Sequence, residues 1–299
     1  MTGRTLLVTG GSGRLARSVI EHLLARGEDR IVTTTRTPES VADLVARGVE
    51  VRELDFDQDE ASIARALEGA DRMLLVSTHA VGRRPEQQGK VVRAAAAAGV
   101  GHLLYTSATS PAPTSLSPIV SDHFWTELAL FAGPVPWTIL RHNMYAEHVL
   151  LFLPAALRAG ELRTSLGDAA RAYVTRADCA AADAAALAGT WTDHRIYDIG
   201  GPEALSTDDI LGIAQELTGR RIAHVRTTDA EALEAYVASG LPEGFPESAL
   251  GFDVWARGGH HAIATSAVRD LTGREPESVR SFLARKLDVL EAGRATVAE

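Results

Sequence analysis

Eight residues near the amino end carry the pattern of a phosphate-binding turn. Thr9, Gly10, Gly11, Ser12, Gly13, Arg14, Leu15 and Ala16 close an apolar run and open a helical one. A glycine pattern alone is weak, but one set between a strand and a helix is informative. Gly10 permits a sharp exit from the strand, and Gly13 lets the backbone approach a diphosphate whose charge the helix amino end stabilises. Ala16 stands at the third position, where a methyl group still allows close helix–strand packing. The plain alternative is a glycine-rich turn without a ligand. The second strand ends Thr33, Thr34, Thr35, Arg36, Thr37, with no acid between Ile31 and Pro38. A carboxylate there would accept from a ribose 2′-hydroxyl. A guanidinium instead offers a forked contact to a 2′-phosphate, unless Arg36 is merely solvated. Asp55 and Phe56 end the third strand, where an acid can accept from an adenine amino group and an aromatic can flank the ring. Ser77, Thr78 and His79 end the fourth.

These residues need a scaffold that brings strand ends to one edge. Apolar, β-branched runs predict strands at 5–9, 31–35, 49–54, 72–77, 101–106 and 137–141, with helical patterns at 15–26, 39–47, 59–68, 86–98 and 123–132. Strand–helix alternation at this spacing predicts an α/β fold, a Rossmann-type doubly wound parallel sheet with helices on both faces. We expect a dinucleotide-binding domain over residues 1–145, joined by a further strand near 195–200, and a smaller α/β region over 146–299. The Ser/Pro/Thr-rich stretch 107–121 reads as a mobile loop placed as a lid. Loops bearing Pro and Gly are expected at 241–246 and 257–261. Residues 276–291 predict one amphipathic helix, with Val279, Phe282, Leu283, Leu287 and Leu290 facing either the domain or a second copy.

Composition removes several classes. The 299 residues are 45% hydrophobic and 23% charged, ordinary for a globular chain that needs no staples. Net charge is −9 with no Lys/Arg cluster, so no nucleic-acid partner is expected. The apolar stretches are too short for a membrane span or signal peptide, and cytoplasmic residence is expected. Cys179, the single cysteine, sits in an Ala-rich helical stretch and reads as packing rather than as a nucleophile. Adjacent His260 and His261 lack acid or cysteine spacing, so no metal is expected.

The chain resembles the NmrA-like atypical short-chain dehydrogenases/reductases, and within them the NADPH-dependent quinone oxidoreductase type 2 group. The resemblance is carried by the glycine loop, Arg36, Leu74-Leu75-Val76-Ser77 followed by Val81-Gly82-Arg83, and Tyr105-Thr106-Ser107. It continues through Leu140-Arg141-His142-Asn143-Met144-Tyr145-Ala146-Glu147 and Arg176-Ala177-Asp178. It implies NADPH as cofactor, with Gly10, Ser12, Gly13, Arg14 and Leu15 on the pyrophosphate and Arg36 on the 2′-phosphate. Asp55 and Phe56 would flank the adenine, and Ser77, Thr78 and Ser107 would line the path to the nicotinamide. Asn143 and Tyr145 would stand near the nicotinamide, under a substrate-covering carboxyl-terminal half.

One departure matters. Short-chain reductases use Tyr-x-x-x-Lys on the helix after strand five, the tyrosine donating a proton while the lysine lowers its pKa. Here that place reads Phe124, Trp125, Thr126, Glu127, Leu128. Proton donation typically contributes roughly 10²–10⁴-fold, so ordinary ketones would be reduced slowly. A quinone suffers less, because its reduction gives an aromatic product with delocalised charge. We therefore expect an NADPH-dependent reductase of a quinone or polycyclic aromatic, polyketide-like carbonyl, acting as monomer or homodimer. His79, His123 and Tyr145 are candidate replacement acids, and Asn143 a candidate for orienting a carbonyl. The rival expectation is a non-catalytic, NADP-binding redox-sensing regulator, which would tolerate loss of the Tyr–Lys pair.

Overall fold

The computed structural model describes residues 3–238 and 244–292. Of the loop expected at 241–246, residues 241–243 lie outside these. The first half runs β1 (Thr5–Thr9), α1 (Arg14–Arg26), β2 (Arg30–Thr35), α2 (Ala42–Val45), β3 (Glu50–Glu53), α3 (Glu60–Leu67), β4 (Arg72–Leu75), α4 (Arg84–Ala97), β5 (His102–Ala108), α5 (Pro118–Ala132) and β6 (Trp137–His142). It continues with α6 (Val149–Ala159), β7 (Glu161–Thr164), β8 (Ala170–Arg171), α7 (Arg176–Leu187) and β9 (Arg195–Ile199). Last come β10 (Leu205–Ser206), α8 (Thr207–Thr218), β11 (Ala223–Arg226), α9 (Asp229–Ala238), α10 (Phe245–Arg257), α11 (Ala267–Thr272), α12 (Val279–Arg285) and α13 (Leu287–Ala292).

Seven parallel strands form one sheet in the order β3-β2-β1-β4-β5-β6-β9. The order reverses between β1 and β4, and the crevice outside those strand ends is where doubly wound sheets bind ligands. Successive side chains alternate between faces. Leu6, Val8, Leu74, Leu104 and Leu140 join the core under α1 and α7, while Leu7, Met73, Leu75, Leu103 and Ile139 join the core under α3, α4 and α5. The small side chains of α7, among them Cys179, Ala180, Ala182 and Ala184, let it pack closely beside α1. A third cluster gathers Leu153, Leu157, Ile210 and Leu211 with Val279, Phe282, Leu283 and Leu290.

Four local expectations are corrected. The helix expected at 39–47 is a 3-10 turn (Pro38–Val41) followed by the four-residue α2. The single helix expected at 276–291 breaks at Lys286 into α12 and α13, and the described part of its apolar face packs inward. Helix α5 begins at Pro118, with extended Ser117 as its N-cap, rather than at 123. Proline suits the first turn because its missing N–H would be unpaired there anyway. The expected loop is thereby shortened to residues 109–117, and it is tied down. Ser110 Oγ donates to the His260 carbonyl at 3.0 Å, and a Cβ on Gly251 of α10 would meet the Leu116 carbonyl at 1.7 Å.

His102 is buried at the start of β5, with Nε2 on Thr138 Oγ1 at 2.8 Å. Burial, helped by the neighbouring Arg72 guanidinium, pulls its pKa down to about 4. The folded value lies below the unfolded one, so this neutral imidazole contributes stability above about pH 6.5 that is lost as pH falls towards about 4. The loss should reach roughly 2 kcal/mol at most by pH 5. Urea midpoints measured from pH 7.5 down to 5 should therefore fall more steeply in the wild type than in His102→Gln; equal slopes would contradict this.

Candidate active site

Gly10 leaves β1 with φ 73°, a left-handed conformation that costs glycine nothing. The Gly13 amide then donates to the Gly10 carbonyl at 2.8 Å, and the Gly11 amide to the Thr34 carbonyl at 2.9 Å. Gly11, which carries no expected role, has the tightest surroundings of the three loop glycines. A Cβ there would lie 2.3 Å from Thr33 Oγ1, so the loop sits directly against β2. Helix α1 starts at an extended Gly13, with no side-chain cap and no acid in its first turn. Uncapped amides and a positive helix end form a donor set suited to a diphosphate. Ser12 is exposed, its Oγ accepting from Thr35 Oγ1 at 3.2 Å; Arg14 is exposed and Leu15 half-buried. Arg36 is exposed just past β2 and makes no hydrogen bond or ion pair among the described residues. A cation held beside this loop with no acid on it fits an added phosphate.

Asp55 and Phe56 follow β3, both half-buried. Asp55 Oδ1 accepts from the Asp57 amide at 3.0 Å, and Phe56 rests on the core under α3 and α4. Beyond β4, the Ser77 amide donates to Thr106 Oγ1 at 2.9 Å and the Thr78 amide to Gln88 Oε1 at 3.3 Å. His79 is exposed, and its side chain makes no hydrogen bond among the described residues.

On α5 the inward pair is not the one expected. Phe124 is half-buried and Leu128 is 38% exposed, whereas His123 and Glu127, also four apart, are buried against the sheet. His123 Nδ1 pairs with the hydroxyl of fully buried Tyr105 at 2.7 Å. Burial, with the Arg84 charge next, holds its pKa well below 6.5, so His123 stays neutral at physiological pH. That argues against His123 as a general acid. Glu127 Oε1 accepts from Ser107 Oγ at 2.7 Å and Arg141 Nε at 2.9 Å, and Oε2 accepts from an Arg141 terminal nitrogen at 2.7 Å. Ser107 is thus held by a forked ion pair joining α5 to β6. Neither Glu127 nor Arg141 was singled out from the sequence, although both lie inside stretches that were quoted.

The exit from β6 places the remaining candidates. Asn143 is buried, its amide donating to the carbonyls of His261 at 3.1 Å and Ile263 at 3.4 Å, while Oδ1 accepts from the Met144 amide at 2.8 Å. Both amide hydrogens are consumed in fastening residues 261–263, so Asn143 has none left to orient a carbonyl. Tyr145 is half-buried and bridged to Val174, with the Arg176 guanidinium 5.1 Å above its ring. Its hydroxyl meets His142 Nδ1 at 3.2 Å, and His142 Nε2 meets Asp183 Oδ1 at 2.8 Å. The sequence pointed to neither His142 nor Asp183.

Cys179 is fully buried, and burial pushes its thiol well above the usual range, which fits packing rather than nucleophilic attack. Among the described residues no group of three or more His, Cys, Asp or Glu could hold a metal ion, and no helix is long and apolar enough to cross a membrane.

Comparison with known proteins matches the geometry. The profile of a family described as NAD(P)H-binding matches residues 10–190. Quinone oxidoreductase 2 of Escherichia coli is 33% identical over 255 residues, 85% of this chain and 88% of that protein. A (4-alkanoyl-5-oxo-2,5-dihydrofuran-3-yl)methyl phosphate reductase of Streptomyces griseus is 31% identical over 280 residues, 93% and 96% of the two chains. An NADPH-dependent quinone oxidoreductase from E. coli, solved with NADPH, superposes with a TM-score of 0.89 at 30% identity, covering 94% of this chain and 99% of that one.

A charge-assisted contact from Arg36 to a 2′-phosphate predicts that Arg36→Ala weakens NADPH binding by about 10- to 100-fold. Calorimetry should show NADH affinity unchanged; an equal loss for both nucleotides would refute the assignment.

Proposed function

Since the chain belongs to the NAD(P)H-binding, NmrA-like atypical short-chain reductases and is an NADPH-dependent oxidoreductase, we propose that its substrate is a quinone or a polycyclic aromatic carbonyl. The carrying observation is the inward face of α5. Where a short-chain reductase presents a phenol and an ammonium, this helix turns His123 and Glu127 to the sheet, each already committed to a neighbour. A site without a lysine-activated phenol favours acceptors whose reduced form carries its own charge. A hydroquinone spreads the new electron pair over an aromatic system, so a weak acid suffices to complete it.

NADPH, when bound, supplies the hydride. Gly10, Gly11, Gly13 and the amino end of α1 would hold its diphosphate, and Arg36 its 2′-phosphate. Ser77, Thr78 and Ser107 would lie along the strand ends beneath the rest. Glu127 fixes Arg141 by an ion pair and Ser107 by a hydrogen bond, which limits rearrangement on binding. The anchored loop 109–117 and residues 258–263 would wall the substrate side, with His260 stacked on Trp255 at 3.8 Å between ring centroids. That names in the relatives include quinone, furanone-phosphate and azo reductases supports hydride delivery to conjugated acceptors.

NADPH oxidation followed with simple benzo- and naphthoquinones should exceed that with an unconjugated aliphatic ketone by about 100-fold, because a localised alkoxide depends on a lysine-activated acid far more than a delocalised phenolate does. Tight NADPH binding without turnover of quinones or aromatic carbonyls would overturn the substrate proposal and favour a cofactor sensor.

A further inference from the structure

On the face of the sheet opposite α5, three side chains from separate places in the chain form a line that the function above leaves unused. Asp183 lies in the middle of α7, His142 ends β6, and Tyr145 follows three residues later. Asp183 Oδ1 meets His142 Nε2 at 2.8 Å, and His142 Nδ1 meets the Tyr145 hydroxyl at 3.2 Å. Resting on the reductase function proposed above, we propose that Tyr145 delivers the proton of the reduction, and that His142 and Asp183 are positioning residues that turn its hydroxyl hydrogen towards the substrate and steady the phenolate left behind.

The first argument is the expense of the pair. Asp183 has no exposed surface, its second oxygen Oδ2 has no hydrogen-bond partner, and its neighbours in the helix are alanines. An interface otherwise made of Ala and Leu would be equally or more stable with apolar residues at both positions. Packing alone gives no reason for an acid and an imidazole there.

The second argument is a proton count. Burial raises the pKa of Asp183, and among the described residues it is His142 that opposes this. A bare carboxylate beside a neutral imidazole would leave a full negative charge buried without a cation, which is costly. The neutral alternatives are a carboxylic acid donating to Nε2, or a carboxylate paired with imidazolium. Both carry a hydrogen on Nδ1. In either of these states His142 donates to the Tyr145 oxygen and the tyrosine's own hydrogen points elsewhere, which is the arrangement the proposal takes. This is a tautomer fixed by its neighbour, as positioned histidines require.

The third argument is access. Tyr145 is the member of the line that reaches the surface, half-buried beneath Arg176. Arg176 and Arg14, the first residue of α1, line one open hollow of about 400 Å³. Arg176 thus touches both the Tyr145 ring and the hollow beside the first turn of α1. Burial keeps the phenol pKa well above 10, so Tyr145 holds its proton at neutral pH. In the step itself, hydride from reduced nicotinamide adds two electrons and one hydrogen to the quinone. The Tyr145 O–H bond breaks as its proton joins the substrate oxygen that has gained the electron pair. Hydroquinone and the oxidised nicotinamide result. The phenolate accepts the Nδ1–H hydrogen bond until a solvent proton restores it.

The test combines two readouts. In ¹⁵N-histidine spectra of cofactor-free wild type, the His142 resonances should show Nδ1 protonated; an Nδ1 lone pair with hydrogen on Nε2 alone would overturn the proposal. In turnover, Tyr145→Phe should lower kcat for a quinone by about tenfold or more, leaving KM and NADPH affinity within about twofold. The double variant His142→Leu with Asp183→Leu should show a similar fall in kcat with a melting temperature equal to or above wild type. A merely structural role would instead lower stability and leave kcat unchanged. Full quinone turnover in Tyr145→Phe defeats this proposal alone, whereas absence of quinone turnover in the wild type defeats the substrate assignment beneath it.

Discussion

Everything in this molecule is arranged around the uncapped amino end of α1. Helix starts commonly satisfy an amide with a side chain, as Asp59, Thr175, Ser206 and Ser278 do here. Helix α1 does not, because a glycine-bearing turn pressed against Thr33 brings it straight out of the sheet. Its amides and its dipole are left for an anion to satisfy. The parallel sheet follows from that demand, since only parallel strands deliver β1, β2, β4, β5 and β6 to the same edge. The helices on both faces follow in turn, from the need to cover strands that are apolar on both sides.

Much of this was legible in the sequence, and the illegible part has a physical pattern. The strands were visible as runs of β-branched and apolar residues, and the glycine loop and Arg36 carry their chemistry in a few adjacent positions. Helix α5 was harder. Its start at Pro118 lies inside a stretch whose Ser, Pro and Thr content looked like loop, and it is apolar on more than one side. Trp125, Leu128 and Phe131 are all exposed, so periodicity could not show which positions face the sheet. The Tyr–Lys gap is therefore recognisable and His123 stands out beside it, while the pattern does not show that His123 and Glu127 are the residues that face inward. Asn143 shows another limit. Its type suggested a carbonyl contact, but its hydrogen bonds go to residues more than a hundred positions away. Asp183 is the extreme case. It sits in an alanine-rich helix 41 residues from His142, with no motif of its own to mark it.

The two faces of the sheet divide the polar work. Beneath α5, both oxygens of Glu127 are engaged and the Tyr105 hydroxyl is paired with His123, which holds strand ends in place. Beneath α7, the Asp183–His142 line is short of one partner and ends at half-buried Tyr145. Fully satisfied buried networks rigidify a core, whereas an incompletely satisfied one is retained for something other than stability. That contrast is why the second face, not the first, carries the inferred proton path.

The central claim is that α1 and Arg36 together hold a phosphorylated dinucleotide, and phosphorus NMR of bound NADP reports on both contacts at once. The account predicts that the diphosphate signals shift on binding. It also predicts that the 2′-phosphate stays dianionic well below pH 6, near which a free phosphate monoester titrates with a pKa of about 6. Diphosphate signals unmoved by the protein, or a 2′-phosphate titrating as it does in free solution, would contradict it.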